Sequence, residues 1–191
     1  MSLKATAVAW AVLALPLVGC ASPRLPAFEH ALAAQDSATA ALGKWCEARH
    51  LAEPALMTAR PVKDADVPPS VDLRDRLGAR PGEPVGYRHV RLSCGGIMLS
   101  EAHNWYLPSR LTTEMNRALA TSDIPFGKVA APLHFTREPL QSRRGRSAAC
   151  PARTILSHRA MLRLPGGQPL ALLVECYTSA NLGGYPPSRQ P

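Results

Sequence analysis

Two charged residues stand where strand alternation calls for apolar ones. In residues 87–93 a period-two pattern sets Arg88 on one face with Val90 and Leu92, and His89, Arg91 and Ser93 on the other. In residues 169–178 both faces are apolar, Leu170, Leu172 and Val174 against Ala171 and Leu173, and Glu175 interrupts the second set. An ionised carboxylate on such a face is costly unless it is partnered. Arg88 and Glu175 are therefore candidates for one shared buried polar site, in which a guanidinium grips a carboxylate and a carboxyl exchanges a proton. A structural ion pair is the alternative use of the same charges. Glu101 and His103 share one face of the next strand and form a weaker acid/base candidate. The sequence has no GxSxG elbow, no CxxC or HxxxH metal spacing and no phosphate-cradling glycine loop, so a nucleophile elbow, a metal site and a phosphate loop are not expected.

The elements that must carry these residues read as follows. Residues 28–50 have helical spacing broken near Asp36, where Asp36 and Ser37 are good N-cap residues and Leu42, Trp45, Cys46 and Arg49 follow on one face. Residues 55–62 suggest a short strand, and residues 70–86 show turns and nothing regular. Residues 87–93 and 97–107 flank Gly95-Gly96 as a β-hairpin. Ser109 introduces a helix with Leu111, Met115, Ala118 and Leu119 on one face, and residues 128–135 are expected to be extended. A second hairpin, residues 158–164 and 169–178, turns at Pro165-Gly166-Gly167-Gln168. Hairpins and helices without βαβ alternation predict an α+β domain, an antiparallel sheet with helices packed on one side.

The chain has 191 residues and a net charge of +8, concentrated at Arg137, Arg143, Arg144, Arg146 and Arg153 with Glu138 the one acid among them. That run reads as a solvated basic loop; no aromatic residues interleave it for base stacking, so a nucleic-acid partner is not expected. At the N-terminus Lys4 precedes an uncharged apolar stretch, residues 5–18, which ends in Leu17-Val18-Gly19-Cys20. This is the pattern of a bacterial lipoprotein signal, too short for a permanent span, which predicts cleavage before Cys20 and a lipid on its sulfur. Ala21 and Ser22 at the next positions favour the outer membrane and the periplasmic side. The expected organisation is a signal at 1–19, a lipidated tether at 20–28, one domain at 29–182 and a tail at 183–191, as a monomer. Cys46, Cys94, Cys150 and Cys176 then permit two disulfides in any of three connectivities, or isolated buried thiols.

The order of segments resembles the chorismate lyases (chorismate pyruvate-lyases). Arg88-His89-Val90-Arg91-Leu92 before a glycine turn resembles their first core hairpin, and Ile124-Pro125-Phe126-Gly127 resembles their "PLG" turn. Ser157-His158-Arg159-Ala160, Gly167-Gln168-Pro169-Leu170 and Leu173-Val174-Glu175 resemble their last hairpin, and Asp36-Ser37-Ala38-Thr39 their D-S-x-T motif. The resemblance implies a cofactor-free conversion of chorismate to 4-hydroxybenzoate and pyruvate, as in ubiquinone biosynthesis. It gives Arg88 the ring carboxylate, Glu175 the ring hydroxyl end and acid/base work, and the backbone near Ala38 and Phe126 a share in holding the ligand. Glu175→Gln is then expected to lose about 10²- to 10⁴-fold in rate without loss of melting temperature. The chain departs from the pattern at Asn104, His158, Phe126 and Ala38, which bears on substrate more than on fold. The competing reading is a non-catalytic lipoprotein that binds a small aromatic carboxylic acid. Sensor domains of transcription regulators share a related fold, but no DNA-binding segment is read ahead of the domain here.

Overall fold

The computed structural model describes residues 24–62 and 67–183. The signal, Cys20 and nearly all of the proposed tail lie outside the described residues. Six strands, β1 (Met57–Pro61), β2 (Gly86–Cys94), β3 (Ile97–Tyr106), β4 (Thr136–Arg144), β5 (Leu156–Arg163) and β6 (Pro169–Tyr177), form one antiparallel sheet in the order β1-β2-β3-β6-β5-β4. The two expected hairpins, β2–β3 and β5–β6, are joined at the centre by β3 and β6, which puts Arg88 and Glu175 on inner strands.

Helices α1 (Arg24–Ala33), α2 (Ala38–Ala48), α4 (Thr113–Thr121) and α5 (Phe126–Val129) pack on one face of this sheet, as the α+β reading requires. One core cluster there joins Phe28, Leu32, Leu42 and Cys46 to Val90, Leu92, Ala102 and Tyr177. A second joins Leu119, Phe126 and Phe135 to Tyr106, Leu162, Ala171 and Leu173. A wedge between these clusters is the natural place for a cleft.

The break near Asp36 separates α1 from α2, and the Ser37 side chain caps α2 by accepting from the Ala40 N–H. Two expectations are corrected. Residues 70–86 hold a helix, α3 (Val71–Leu77), capped by Ser70 and stopped by Gly78 at φ +62°. Its Leu73 and Leu77 cover Trp105, Met161 and Leu172 on the opposite face of the sheet. Only one i,i+4 apolar pair marks a helix this short, so periodicity alone passes over it. Residues 128–135 are not extended but belong to α5 and a 3-10 turn at Ala131–Leu133, where Pro132 and the left-handed His134 (φ +51°) interrupt any strand.

The basic run is corrected as well. Arg137, Arg143 and Arg144 belong to the edge strand β4, and Arg144 forms a forked pair with Glu29 of α1 (2.9 and 2.8 Å). A charged, mostly exposed edge strand discourages pairing with another chain. All four remaining cysteines are bonded, Cys46 to Cys94 and Cys150 to Cys176. The first bridge ties α2 to β2, and the second ties the segment after β4 to β6. Among the described residues no helix is long and apolar enough to cross a membrane.

Candidate functional site

Glu175 lies on β6 and is 2% exposed. Arg137 donates to both of its oxygens, Nη1 to Oε1 at 3.0 Å and Nη2 to Oε2 at 2.6 Å, and the Tyr177 hydroxyl donates to Oε2 at 2.9 Å. Burial works against the Arg137 charge, but the adjoining Glu175 carboxylate outweighs it and holds the guanidinium above its ordinary pKa. Burial and the same carboxylate push the Tyr177 hydroxyl well up. His158, directly opposite Glu175 in the register, is pulled below its ordinary value by burial. Glu175 thus shows the alternative weighed for it, a structural ion pair with both oxygens engaged, and its partner is Arg137 rather than Arg88.

Arg88 is on the same face of the sheet as Glu175, as strand parity requires. The register runs Arg88–Asn104–Leu173, with Glu175 two residues beyond. With strands about 4.8 Å apart and a rise of about 3.4 Å per residue, the two Cα positions stand roughly 12 Å apart. The guanidinium is buried and donates to the Ile124 carbonyl at 3.2 Å and the Ser122 carbonyl at 3.1 Å. No carboxylate lies within salt-bridge distance of it among the described residues. Burial lowers its pKa, with the Tyr106 hydroxyl and Asp123 acting in the opposite sense. The two predicted charges therefore share a face but do not touch, and each has its own partners.

Between them lies a cleft. Val90, Leu92, Ala102, Leu162 and Leu173 give it an apolar floor, with Asn104 and Glu175 as polar points. Its walls come from residues 36–39 at the start of α2 and from Phe126, Gly127 and Phe135. Ala38 and Phe126, both expected at the ligand, line it; Arg88 does not. Asp36 accepts a hydrogen bond from the Arg137 backbone N–H at 3.2 Å, which fastens the start of α2 to β4. The deep part is narrow, a cavity of about 30 Å³. It adjoins an outer cavity of about 440 Å³ that shares Asp36, Ser37, Thr39, Gly127 and Phe135 and adds Met57, Lys128 and His134. The arrangement suits an apolar ring with polar ends. The cleft lining presents the N-terminus of α2 and the carboxyl groups of Asp36 and Glu175, with Arg88 and Arg137 set behind that lining.

Sequence reasoning missed Arg137 and Tyr177. Tyr177 is two residues beyond Glu175 and so on its face, a signal that parity carries. Arg137 sat inside a run of arginines, and only the β4–β5–β6 register brings it to Glu175.

Glu101 and His103 do share a face, but it is the one opposite the cleft. Glu101 Oε1 lies 2.9 Å from His89 Nε2, and Oε2 accepts from Arg91 at 3.2 Å. Burial raises the Glu101 pKa, yet the His89 and Arg91 contacts outweigh it and hold the carboxyl below its usual range.

The fold is similar to that of the effector domain of PhnF from Mycobacterium smegmatis, with a TM-score of 0.52 at 13% identity over 75% of this chain and 88% of that one. Whole PhnF gives a TM-score of 0.54 at 12% identity over 77% of this chain. This chain spans 65% of whole PhnF, less than two thirds of that protein. Identities this low show the fold alone, an α+β chorismate lyase-like architecture. No model of a known protein family matches the sequence. A curated relative, "Uncharacterized protein y4mC" of Sinorhizobium fredii (strain NBRC 101917 / NGR234), is 43% identical over 162 residues, which cover 75% of this chain and 68% of y4mC. The chain belongs to the family of y4mC.

Proposed function

We propose that this protein binds a small aromatic carboxylate in the cleft between α2, α5 and the sheet. Arg88 is the observation that carries the reading. A buried guanidinium whose bonds go to two neutral carbonyls is an anion site held in reserve, since a carboxylate partner makes a stronger, charge-assisted pair. The ring lies on the apolar floor between Val90 and Leu173. Its carboxylate replaces the Ser122 and Ile124 carbonyls on Arg88, and its far polar end meets Asn104 or the Arg137–Glu175 pair. The deep cavity is too narrow for a ring as it stands, so binding includes an outward shift of the 122–127 segment. The likeness to a domain described as the effector domain of PhnF supports a binding role for this fold.

Turnover of chorismate is the second reading, favoured by Arg88 and Glu175 lying on one face. Glu175 serves it only if substrate loosens the grip of Arg137. The two readings separate in one set of measurements on the purified full chain. A binder shows a thermal shift with 4-hydroxybenzoate that disappears in Arg88→Ala, and releases no pyruvate from chorismate. An enzyme releases pyruvate. A chain that does neither overturns the proposal.

The same reading puts the domain on the periplasmic side of a bacterial membrane, held by lipid on Cys20. The sequence pattern at residues 4–20 supports this, as do two disulfides, which persist in oxidising compartments. Cys20→Ala should release the protein from the membrane fraction and abolish labelling by a fatty acid. A protein that stays membrane-bound and labelled after that change contradicts the anchor.

A further inference from the structure

The face of the sheet opposite the cleft brings together three groups of metal-ligand type. His89 on β2 and His103 on β3 are direct cross-strand partners, and Glu101 is two residues before His103 on the same face. One ring nitrogen of each histidine and one Glu101 oxygen all lie within 4.8 Å of one another. The imidazoles face each other with centroids 4.1 Å apart and planes 20° from parallel. The set is largely shielded from solvent, with His89 9% exposed and the Glu101 side chain 12%.

From this convergence we propose that His89, Glu101 and His103 bind a divalent first-row transition-metal cation, zinc being the probe of choice. Two imidazoles and a carboxylate are a donor set suited to such ions, and three protein ligands leave a position for water or another ligand. The spacing is close to what an ion needs. A cation about 2.1 Å from a nitrogen and an oxygen holds them about 3.4 Å apart at the tetrahedral angle; His89 Nε2 to Glu101 Oε1 is 2.9 Å, so a cation would replace the hydrogen bond between them and part the two atoms slightly. Supporting contacts are in place around the set. The Tyr87 hydroxyl lies 2.8 Å from His103 Nδ1. A hydrogen bond at one ring nitrogen orients an imidazole toward a metal at the other, the arrangement common around ligating histidines. Arg91 holds Glu101 Oε2, and the cation would take the place of the hydrogen between Oε1 and His89 Nε2. The strands fix this geometry, and the two disulfides take up all the cysteines among the described residues. The site is separated from the cleft by the thickness of the sheet.

The test is a zinc titration of the full chain, purified without a histidine tag and freed of metal, followed by calorimetry. The expected result is saturable binding of one ion per chain. His89→Gln, Glu101→Gln and His103→Gln should each weaken it more than about 100-fold, and Tyr87→Phe by about 10- to 100-fold. Circular dichroism of each variant without metal reports folding. X-ray absorption of the zinc-loaded parent keeps the claim open to refutation where a variant does not fold, and should show two imidazoles and oxygen ligands. Absence of saturable binding, binding unchanged in folded variants, or an absorption spectrum without imidazole overturns the proposal.

Discussion

At the residue scale the account turns on Glu175, whose burial the sequence exposed and whose partner it concealed. Parity places any residue on a face, so Arg88 and Glu175 were legible as misplaced charges. Pairing between strands distant in the chain is not, so Arg137 was read as part of a solvated loop although its side chain is 10% exposed. The consequence reverses one expectation. Glu175→Gln leaves a buried guanidinium without its anion, and breaking such a pair costs about 3–5 kcal/mol. Urea unfolding should show that loss, and Arg137→Met combined with Glu175→Met should recover most of it, because an apolar pair of similar volume has no desolvation to offset. A Glu175→Gln protein as stable as the parent would mean that the pair contributes nothing to the fold.

At the element scale the cleft depends on how closely α5 approaches the start of α2. A Cβ at Gly127 would run into the Ser37 hydroxyl and press on Thr39 Oγ1 at 3.3 Å. Both residues line the cleft, and Ser37 also caps α2. Gly127→Ala should therefore spread this wall and loosen the cap, costing about 1–3 kcal/mol and weakening 4-hydroxybenzoate binding. Ser37→Ala removes the cap alone, for about 1 kcal/mol, and should spare the ligand better. Calorimetric titration of the two variants separates wall from cap; equal binding losses in both would assign the effect to the cap. The hairpins and the α1–α2 break were legible because period-two runs, glycine turns and cap residues coincide there. Helix α3 and the turns after Phe126 were not, because seven residues or fewer carry too little periodicity.

For the whole molecule, two bridges and several perturbed groups set the conditions under which the fold holds. Replacing Cys46 and Cys94 by alanine should cost about 2–5 kcal/mol, read as a lower melting temperature that added reductant no longer shifts as far as in the parent. His158 is held neutral by burial, so its folded pKa lies below its unfolded value of about 6.5. Its share of stability is complete above that pH and is lost as pH falls toward the folded pKa. Glu29 and Glu101, also held low, add to the loss at more acid pH. Urea midpoints should thus be flat near neutrality and begin to fall below about pH 6.5, and His158→Phe should delay the onset; an unchanged onset would exonerate His158. The most direct test of the binding claim is a titration of the ¹⁵N-labelled protein with 4-hydroxybenzoate, observing backbone amides and arginine side chains. The account predicts saturable shifts at Ala38, Thr39, Asn104, Gly127 and the Arg88 guanidinium. Spectra that stay unchanged, or shifts confined to the face covered by α3, would contradict it.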